Sequence, residues 1–176
     1  MLLTLVLPTM LAVAACGRDA PAEVGVTTFD AGDRQQLPTI SGQTLDSDRI
    51  ALPLQDGNIV VLNAWASWCE PCREEMPILA DINAQFKASG VSVVGLNVQD
   101  TSTDARRFLD QVGVNFPSIV DPEGSLLATI PGVPPKAVPS TVILDRNGAI
   151  AVRIIGPLDR TLINNAIQTL LTEEKS

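Results

Sequence analysis

The chain has 176 residues, of which 45% are hydrophobic, and it carries a formal net charge of −8. This composition is that of one domain with a buried core, and the negative charge argues against nucleic acid or an anionic membrane surface as a partner. There are three cysteines and no histidine. Nucleophilic sites with an imidazole base are therefore excluded, and a zinc site would lack its usual ligands.

Residues 1–15, MLLTLVLPTMLAVAA, are apolar and contain no charge. As a helix this segment would measure about 22 Å at ~1.5 Å per residue, too short for a bilayer core of about 30 Å, so a signal peptide is favoured. The stretch LAVAAC, residues 11–16, also resembles the bacterial lipobox, which implies cleavage before Cys16 and acylation of its sulfur. A plain secretory signal followed by an incidental Cys16 is the alternative.

Residues 16–36 are rich in small, polar and acidic types and show no helical or strand periodicity. They predict a flexible tether that carries lipid on Cys16 and reaches at most roughly 65–70 Å when fully stretched. The folded domain is then predicted over residues 37–176.

From residue 37 onward, strand and helix patterns alternate along the chain. A helix is predicted from Glu70 to Ala88, because its apolar residues fall at helical spacing and Gly90 follows it. The other predicted elements are a hairpin or extension over 37–54, buried strands over 58–66 and 91–98, a helix over 102–112, strands over 139–145 and 149–155 joined by a turn at Asn147–Gly148, and a helix from about Asp159.

This order of elements indicates a single α/β domain. Parallel strands are followed by an antiparallel hairpin, with helices on both faces of the sheet. Cys69 and Cys72 fall where the first buried strand meets the first helix, and that end of a strand is where ligands and chemistry collect in open α/β sheets.

The two cysteines have four competing interpretations: a structural disulfide, half of a metal site, a pair of core residues, or a reversible redox pair. A structural disulfide would gain little from so short a loop. A short loop does suit reversible opening, because the second thiol stays close enough to displace a mixed disulfide. The helix N-terminus favours a thiolate and so lowers the pKa of Cys69. We therefore expect Cys69 to attack and Cys72 to resolve.

Two segments resemble proteins of the thioredoxin fold: WASWCEPCREEMP, residues 65–77, and AVPSTVILDRNG, residues 137–148. More narrowly, they are similar to the TlpA/ResA group of extracytoplasmic thiol-disulfide oxidoreductases. The resemblance implies a thioredoxin-like α/β fold with a central mixed sheet, helices on both faces and an N-terminal β extension. It also places Pro139 at the family's cis-proline, beside which the backbone of Val138 pairs with the substrate peptide.

The resemblance further implies roles for residues around the cysteines. Trp68 corresponds to the family's tryptophan beside the attacking sulfur, and Glu70 and Pro71 belong to the surface that meets the substrate. Asn63 stands where cytosolic thioredoxins carry a buried aspartate that accepts the proton of the resolving thiol. In the TlpA/ResA group the proposed substitute is an acid three residues after the second cysteine, which here is Glu75. The alternative interpretation of Glu75 is a solvated acid in the first turn of the helix.

The expected direction of electron flow follows from Glu70. Strong oxidants of the superfamily often carry a histidine between their cysteines, whereas an acidic residue disfavours the thiolate of the reduced form and so lowers the reduction potential. The expected function is reduction of protein disulfides on the outer face of the cytoplasmic membrane or in the periplasm. A membrane-embedded thiol reductase would supply the electrons, and apocytochrome c is one substrate that the resemblance implies.

The sequence contains no nicotinamide or flavin motif. We therefore expect the Cys69–Cys72 disulfide to be the redox group, with no further cofactor and no metal, in a monomeric protein. Two other functions are left open. One is a thiol peroxidase related to the peroxiredoxins, and the other is a lipoprotein binding module without catalytic activity.

Overall fold

Strands and helices follow one another as the sequence predicts, with three short strands in addition. The computed structural model describes residues 25–173. Its strands are β1 Gly25–Thr28, β2 Gln35–Gln36, β3 Ile40–Gln43, β4 Arg49–Leu52, β5 Ile59–Trp65, β6 Val91–Val98, β7 Ser118–Asp121, β8 Ser140–Leu144 and β9 Ala149–Ile155. Its α-helices are α1 Glu70–Phe86, α2 Ser102–Val112 and α3 Arg160–Glu173, and 3-10 helices cover Lys87–Ser89 and Leu127–Thr129.

Strand β5 lies inside the main sheet, whose order is β1-β9-β8-β5-β6-β7, with β2 also paired to β9. Strands β5, β6 and β7 are parallel to one another. Strand β8 runs antiparallel to β5, β9 antiparallel to β8, and β1 antiparallel to β9. All seven residues of β5 are buried, as expected for a strand covered on both faces. The chain therefore leaves the middle of the core at the carboxyl end of β5, and the two cysteines follow.

The two faces of the sheet are covered by different kinds of element. Because β5, β6 and β7 are adjacent in that order, two crossovers of the same hand place α1 and α2 on the same face. All three α-helices contribute buried side chains to one apolar cluster. The second cluster instead contains residues of β3, of β4 and of the 3-10 helix Leu127–Thr129. Cover on both faces thus comes from α-helices on one face and from a hairpin with a 3-10 helix on the other.

The predicted tether is wrong for residues 25–36, because two strands lie within it. β1 pairs with β9 in the register Gly25↔Ile155, and β2 pairs with β9 at Gln35↔Ile150. Without these partners the edge of β9 would present unpaired backbone groups. Strands of four and two residues are too short to show a clear alternation in the sequence, and the four-residue β7 was missed for the same reason. The folded domain begins by Gly25, not at Leu37.

Arg34 connects the N-terminal strands to the turn after β8 and to the last residue of α3. Its guanidinium donates to Asp145 at 3.2 Å and to both carboxylate oxygens of Glu173 at 2.9 and 2.8 Å. Its Nε also donates to the backbone oxygen of Phe29 at 3.3 Å. The Arg34 side chain is buried, so these contacts belong to the folded domain rather than to a mobile extension.

The predicted signal peptide over residues 1–15, the lipidation site Cys16 and the tether up to residue 24 lie outside the described residues. None of the helices between residues 25 and 173 combines the length and the apolar character needed to cross a bilayer.

Removal of residues 25–36 is expected to destabilise the domain. A chain that begins at Leu37 loses both pairings to β9, the ion pairs of Arg34 and the packing of Phe29 against the core. The apolar contact of one such aromatic ring alone contributes about 2 kcal/mol. Urea denaturation should therefore show a free energy of unfolding lower by about 2 kcal/mol or more than that of a chain that begins at Gly25. Equal values would contradict the boundary at Gly25.

Candidate active site

Cys69 is the N-cap of α1, and its sulfur acts as the capping acceptor. Its backbone is extended, with φ −88° and ψ 106°, and its Sγ accepts a hydrogen bond from the backbone N–H of Cys72 at 3.2 Å. Pro71 lies in the first turn of the helix, where its missing N–H costs no hydrogen bond. A donor and the positive end of the helix dipole therefore already face the sulfur when it becomes a thiolate.

The two cysteines form a disulfide, with their Cα atoms 5.3 Å apart. Cys69 is 5% exposed and Cys72 is fully buried. An incoming thiolate can therefore reach only Cys69, which supports the predicted roles of attacking and resolving sulfur. Cys69 itself is nevertheless largely enclosed.

Trp68, Glu70 and Pro71 are exposed around Cys69, as expected of residues that meet a substrate. Trp68 is 58% exposed although it is a large apolar side chain. Its indole Nε1 donates to the backbone oxygen of Gln99 at 2.9 Å, so the ring is held in position while its face stays open to solvent. An immobilised, exposed aromatic ring beside a reactive sulfur is suited to contact a polypeptide.

Pro139 lies at the same end of the sheet as the cysteines. The Val138–Pro139 peptide bond is cis, as the resemblance implies. The next residue, Ser140, pairs with Ala64 near the end of β5, and this register brings Pro139 to the strand that leads to Cys69. Pro139 is buried and Val138 is half-buried. Substrate pairing by the Val138 backbone stays a prediction.

Asp100 holds the loop between β5 and α1. Its Oδ2 accepts the backbone N–H of Ser67 at 2.6 Å, and its Oδ1 accepts the Ser67 hydroxyl at 2.8 Å. Asn97 donates to the same carboxylate at 3.0 Å. Ser67, Gln99 and Asp100 are not among the site residues predicted from the sequence. The available signal was position, because residues that follow β6 lie at the same edge of the sheet as those that follow β5.

An aromatic stack connects the end of β5 to both neighbouring helices. The rings of Trp65 and Phe108 are stacked with centroids 5.4 Å apart, and Trp65 Nε1 donates to Ser118 Oγ at 3.2 Å. The Arg73 guanidinium lies 4.8 Å from the centroid of Phe108. Arg73 and Phe108 also border an open cleft of about 790 Å³ beside the disulfide loop.

Glu75 is buried within the core, one turn after Cys72. It is 2% exposed, so the interpretation as a solvated first-turn acid is wrong. Its Oε1 accepts a hydrogen bond from Asn63 Nδ2 at 2.8 Å, and its Oε2 accepts one from the backbone N–H of Leu158 at 3.1 Å. Asn63 also donates to Thr141 Oγ1 at 3.1 Å. Two distant parts of the chain thus hold the Glu75 carboxyl group, and Thr141 holds Asn63 in turn.

Burial raises the pKa of Glu75 from its usual 4.5 to about 7, although the hydrogen bonds from Asn63 and Leu158 act in the opposite direction. A carboxyl group in this range can take up and release a proton near neutral pH. Within residues 25–173, no group of three or more His, Cys, Asp or Glu side chains is arranged to hold a metal ion. The arrangement can therefore exchange two electrons through sulfur and one proton through Glu75.

Comparison with known proteins identifies relatives along most of the chain. Residues 31–170 match the Redoxin family. The chain is 32% identical over 164 residues to the thiol:disulfide interchange protein HelX of Rhodobacter capsulatus, which covers 93% of this chain and 81% of HelX. It is 29% identical over 139 residues to the thiol-disulfide oxidoreductase ResA of Bacillus subtilis, and the matched region covers 79% of this chain and 76% of ResA.

Solved structures show the same fold. A DsbF homologue from Corynebacterium diphtheriae superposes with a TM-score of 0.79 at 32% identity, over 85% of this chain and 96% of that one. A secreted thiol-disulfide isomerase from Corynebacterium glutamicum also gives a TM-score of 0.79, at 30% identity, over 93% and 98%. The thioredoxin-like fold and the ResA-type resemblance predicted from the two motifs are therefore confirmed.

The stability of the oxidised protein is expected to fall as pH rises from 4.5 to 7. In this window the unfolded chain has released the Glu75 proton while the folded protein retains it, so a rise in pH favours unfolding. The full difference amounts to about 3 kcal/mol. Between pH 4.5 and 7, the free energy of unfolding of Glu75→Gln should therefore rise by about 3 kcal/mol relative to that of the wild type, as measured by urea denaturation. Glu74→Gln, a control at an exposed neighbouring residue, should show the same dependence of the free energy of unfolding on pH as the wild type. The same dependence in Glu75→Gln would contradict the raised pKa of Glu75.

Proposed function

Because the chain belongs to the Redoxin family and is a ResA-like thiol-disulfide oxidoreductase, we propose that it reduces disulfides of exported proteins through Cys69 and Cys72. The observation that carries the assignment of roles is the difference between the two sulfurs. Cys69 caps the helix and keeps 5% of its surface exposed, whereas Cys72 is fully buried.

The reaction begins with the reduced protein. The Cys69 thiolate, stabilised by the Cys72 N–H and by the helix N-terminus, attacks one sulfur of the client disulfide. The other client sulfur leaves as a thiolate and takes a proton from solvent. Cys72 then loses its proton and attacks Cys69, which releases the second client thiolate and forms the Cys69–Cys72 disulfide. Two electrons pass from the protein to the client.

Glu75 is the proposed acceptor of the Cys72 proton. It lies one turn further along α1, is buried, and has a pKa raised to about 7 by that burial. Asn63 cannot take this role, because a neutral amide does not accept a proton at these pH values. An ionised Glu75 also disfavours a thiolate at Cys72, because like charges repel, and this repulsion ends when Glu75 takes up the proton.

The proposed direction is reduction of the client. Glu70 is exposed at the first position of α1, between the two cysteines. Its negative charge there offsets part of the helix stabilisation of the thiolate, and a less stable reduced form is a better reductant. We propose that a membrane-embedded thiol reductase returns the electrons, that the disulfide needs no other cofactor, and that apocytochrome c is among the clients.

We also propose that the protein is exported and anchored by lipid on Cys16. The LAVAAC stretch supports this location, and one similar structure is described as secreted. Gly25 pairs with Ile155, which pairs with Ser140, which pairs with Ala64. The described domain therefore begins at the end of the sheet that carries the disulfide. Residues 16–24 can span at most roughly 30 Å, so the anchor would keep this end near the membrane surface.

The trapping experiment tests the roles of the two cysteines. Cys72→Ala should retain its client as a mixed disulfide on Cys69, because no internal thiol is left to release it. Cys69→Ala is the matched control and should trap little, since its remaining thiol is buried. Both are measured by non-reducing electrophoresis and mass spectrometry with insulin and with an oxidised Cys-x-x-Cys-His peptide as clients. More efficient trapping by Cys69→Ala would reverse the assigned roles.

The reduction potential tests the direction. We expect a value closer to that of thioredoxin, about −270 mV, than to that of the periplasmic oxidant DsbA, about −120 mV. Equilibration with glutathione or dithiothreitol buffers gives the value. Glu70→His should shift the potential upward, because a positive charge beside Cys69 stabilises the thiolate. A wild-type potential near −120 mV would mean that the protein oxidises its clients.

A further inference from the structure

Asn63 is the one polar residue in the buried strand β5, and its amide has unequal partners. The Nδ2 group donates one hydrogen to Glu75 Oε1 and the other to Thr141 Oγ1. The Oδ1 atom is buried and has no hydrogen-bond partner among the described residues. A buried, unpaired amide oxygen is costly. Its presence beside a carboxyl group that changes protonation therefore calls for a functional reason.

The Leu158 contact decides which oxygen of Glu75 can carry a proton. Oε2 faces the backbone N–H of Leu158, and a backbone amide can only donate. A proton on Oε2 would use one of its lone pairs and weaken the hydrogen bond that it accepts from Leu158. Proton uptake is therefore directed to Oε1, the oxygen that faces Asn63.

Asn63 can serve a protonated Oε1 only in a different orientation. With Nδ2 toward Glu75, Asn63 offers no acceptor for a proton on Oε1. A half-turn of the amide exchanges Nδ2 for Oδ1, the acceptor that lacks a partner. The turn also moves Nδ2 into the buried position that Oδ1 leaves, where no acceptor lies among the described residues, so one unpaired group replaces another. Thr141 permits this turn, because its hydroxyl accepts from Nδ2 in one orientation and donates to Oδ1 in the other.

The sheet leaves these two partners to Asn63. Thr141 is its direct cross-strand neighbour on β8, and Gly95 is its neighbour on β6. Gly95 offers no side chain for a competing hydrogen bond. Asn63 and Thr141 are both fully buried, so water does not reach the pair from the surface.

We propose that Asn63 is a positioning residue that hydrogen-bonds Glu75 in both of its protonation states, by turning its side-chain amide half a turn when Oε1 takes up a proton. The inference rests on the proposed function, in which that proton comes from Cys72. The S–H bond of Cys72 breaks and an O–H bond forms on Oε1. No electron pair moves between Asn63 and either group.

The titratable and charged groups nearest in the chain to Glu75 and Leu158, on the elements that hold them, lie on α1 and at the start of α3. On α1 they are Cys72, which loses its proton in the reaction, and the exposed Arg73 and Glu74. At the start of α3, Arg160 is paired with Asp81 at 2.6 Å, and Asp159 accepts the backbone N–H of Leu162 at 2.8 Å. The partners on β5 and β8, Asn63 and Thr141, are neutral. Neither of the hydrogen bonds that Glu75 accepts, from Asn63 and from Leu158, is an ion pair.

Nuclear magnetic resonance of the oxidised protein tests the turn. With 13C-labelled glutamate and 15N-labelled asparagine, the Glu75 carboxyl resonance gives its titration midpoint. Above this midpoint, nuclear Overhauser contacts should join the Asn63 amide protons to the Thr141 side chain. Below the Glu75 midpoint these contacts should disappear, and the pH at which half of their intensity is lost should equal that midpoint. Contacts that persist unchanged on both sides would overturn the proposal.

Glu75→Gln provides a fixed version of the protonated state. Its carbonyl must face the Leu158 N–H, so its amide nitrogen faces Asn63 and requires an acceptor there. We expect this variant to lack the Asn63–Thr141 amide-proton contacts at every pH. Asn97 is the matched control, since it is buried with an unpartnered Oδ1 but donates to Asp100 instead. The Asn97 resonances should not change at the Glu75 midpoint. If Glu75→Gln retains the Asn63–Thr141 contacts, the proposal fails.

Activity separates this inference from the proposed function. Thr141→Val removes the group that can both donate and accept, and should slow insulin reduction about fivefold on both sides of the Glu75 midpoint. Thr141→Ser keeps the hydroxyl and should restore the wild-type rate, which a packing role alone would not. If trapping by Cys72→Ala succeeds while the Asn63 contacts never change, only the turn is refuted. If no client is reduced or trapped, the proposed function fails whatever Asn63 does.

Discussion

The direct passage from a fully buried strand into a helix is the constraint on which the site depends. β5 ends at Trp65 and α1 begins at Glu70, so only residues 66–69 connect the two elements. Cys69 becomes the N-cap, where its sulfur replaces the usual oxygen acceptor. The same geometry supplies the thiolate with a donor and encloses most of the sulfur. Reactivity and limited access are thus two results of one backbone arrangement.

The loop depends in turn on the neighbouring parallel strand. Asp100, two residues after β6, holds both the backbone and the hydroxyl of Ser67, and Gln99 holds the Trp68 indole through its backbone oxygen. These contacts arise because parallel strands end at one edge of the sheet. The exposed tryptophan therefore has a defined position before any client arrives, which reduces the entropy that must be lost on binding.

The core accepts a cost at Glu75 to provide a proton site. A buried carboxyl group without a countercharge destabilises the folded protein when ionised, and here two donors only partly offset that cost. Asn63 interrupts the apolar run of β5 at the position from which its amide reaches both Glu75 and Thr141. Local departures from apolar patterning of this kind are expected at functional sites, where chemistry outweighs stability.

The sequence alone determined the long elements, the position of the dithiol at a helix N-terminus, and the family, because local periodicity and two motifs carry that information. The spacing of Cys72, Glu75 and Leu79 also places Glu75 on one buried helix face. Only the tertiary structure decided that β1 and β2 extend the sheet, that Asp100 clamps the loop, and that Leu158 and Asn63 hold the two oxygens of Glu75. These contacts join residues that are distant in the chain. Such pairs are set by the order and register of the strands, which no local pattern of residues specifies.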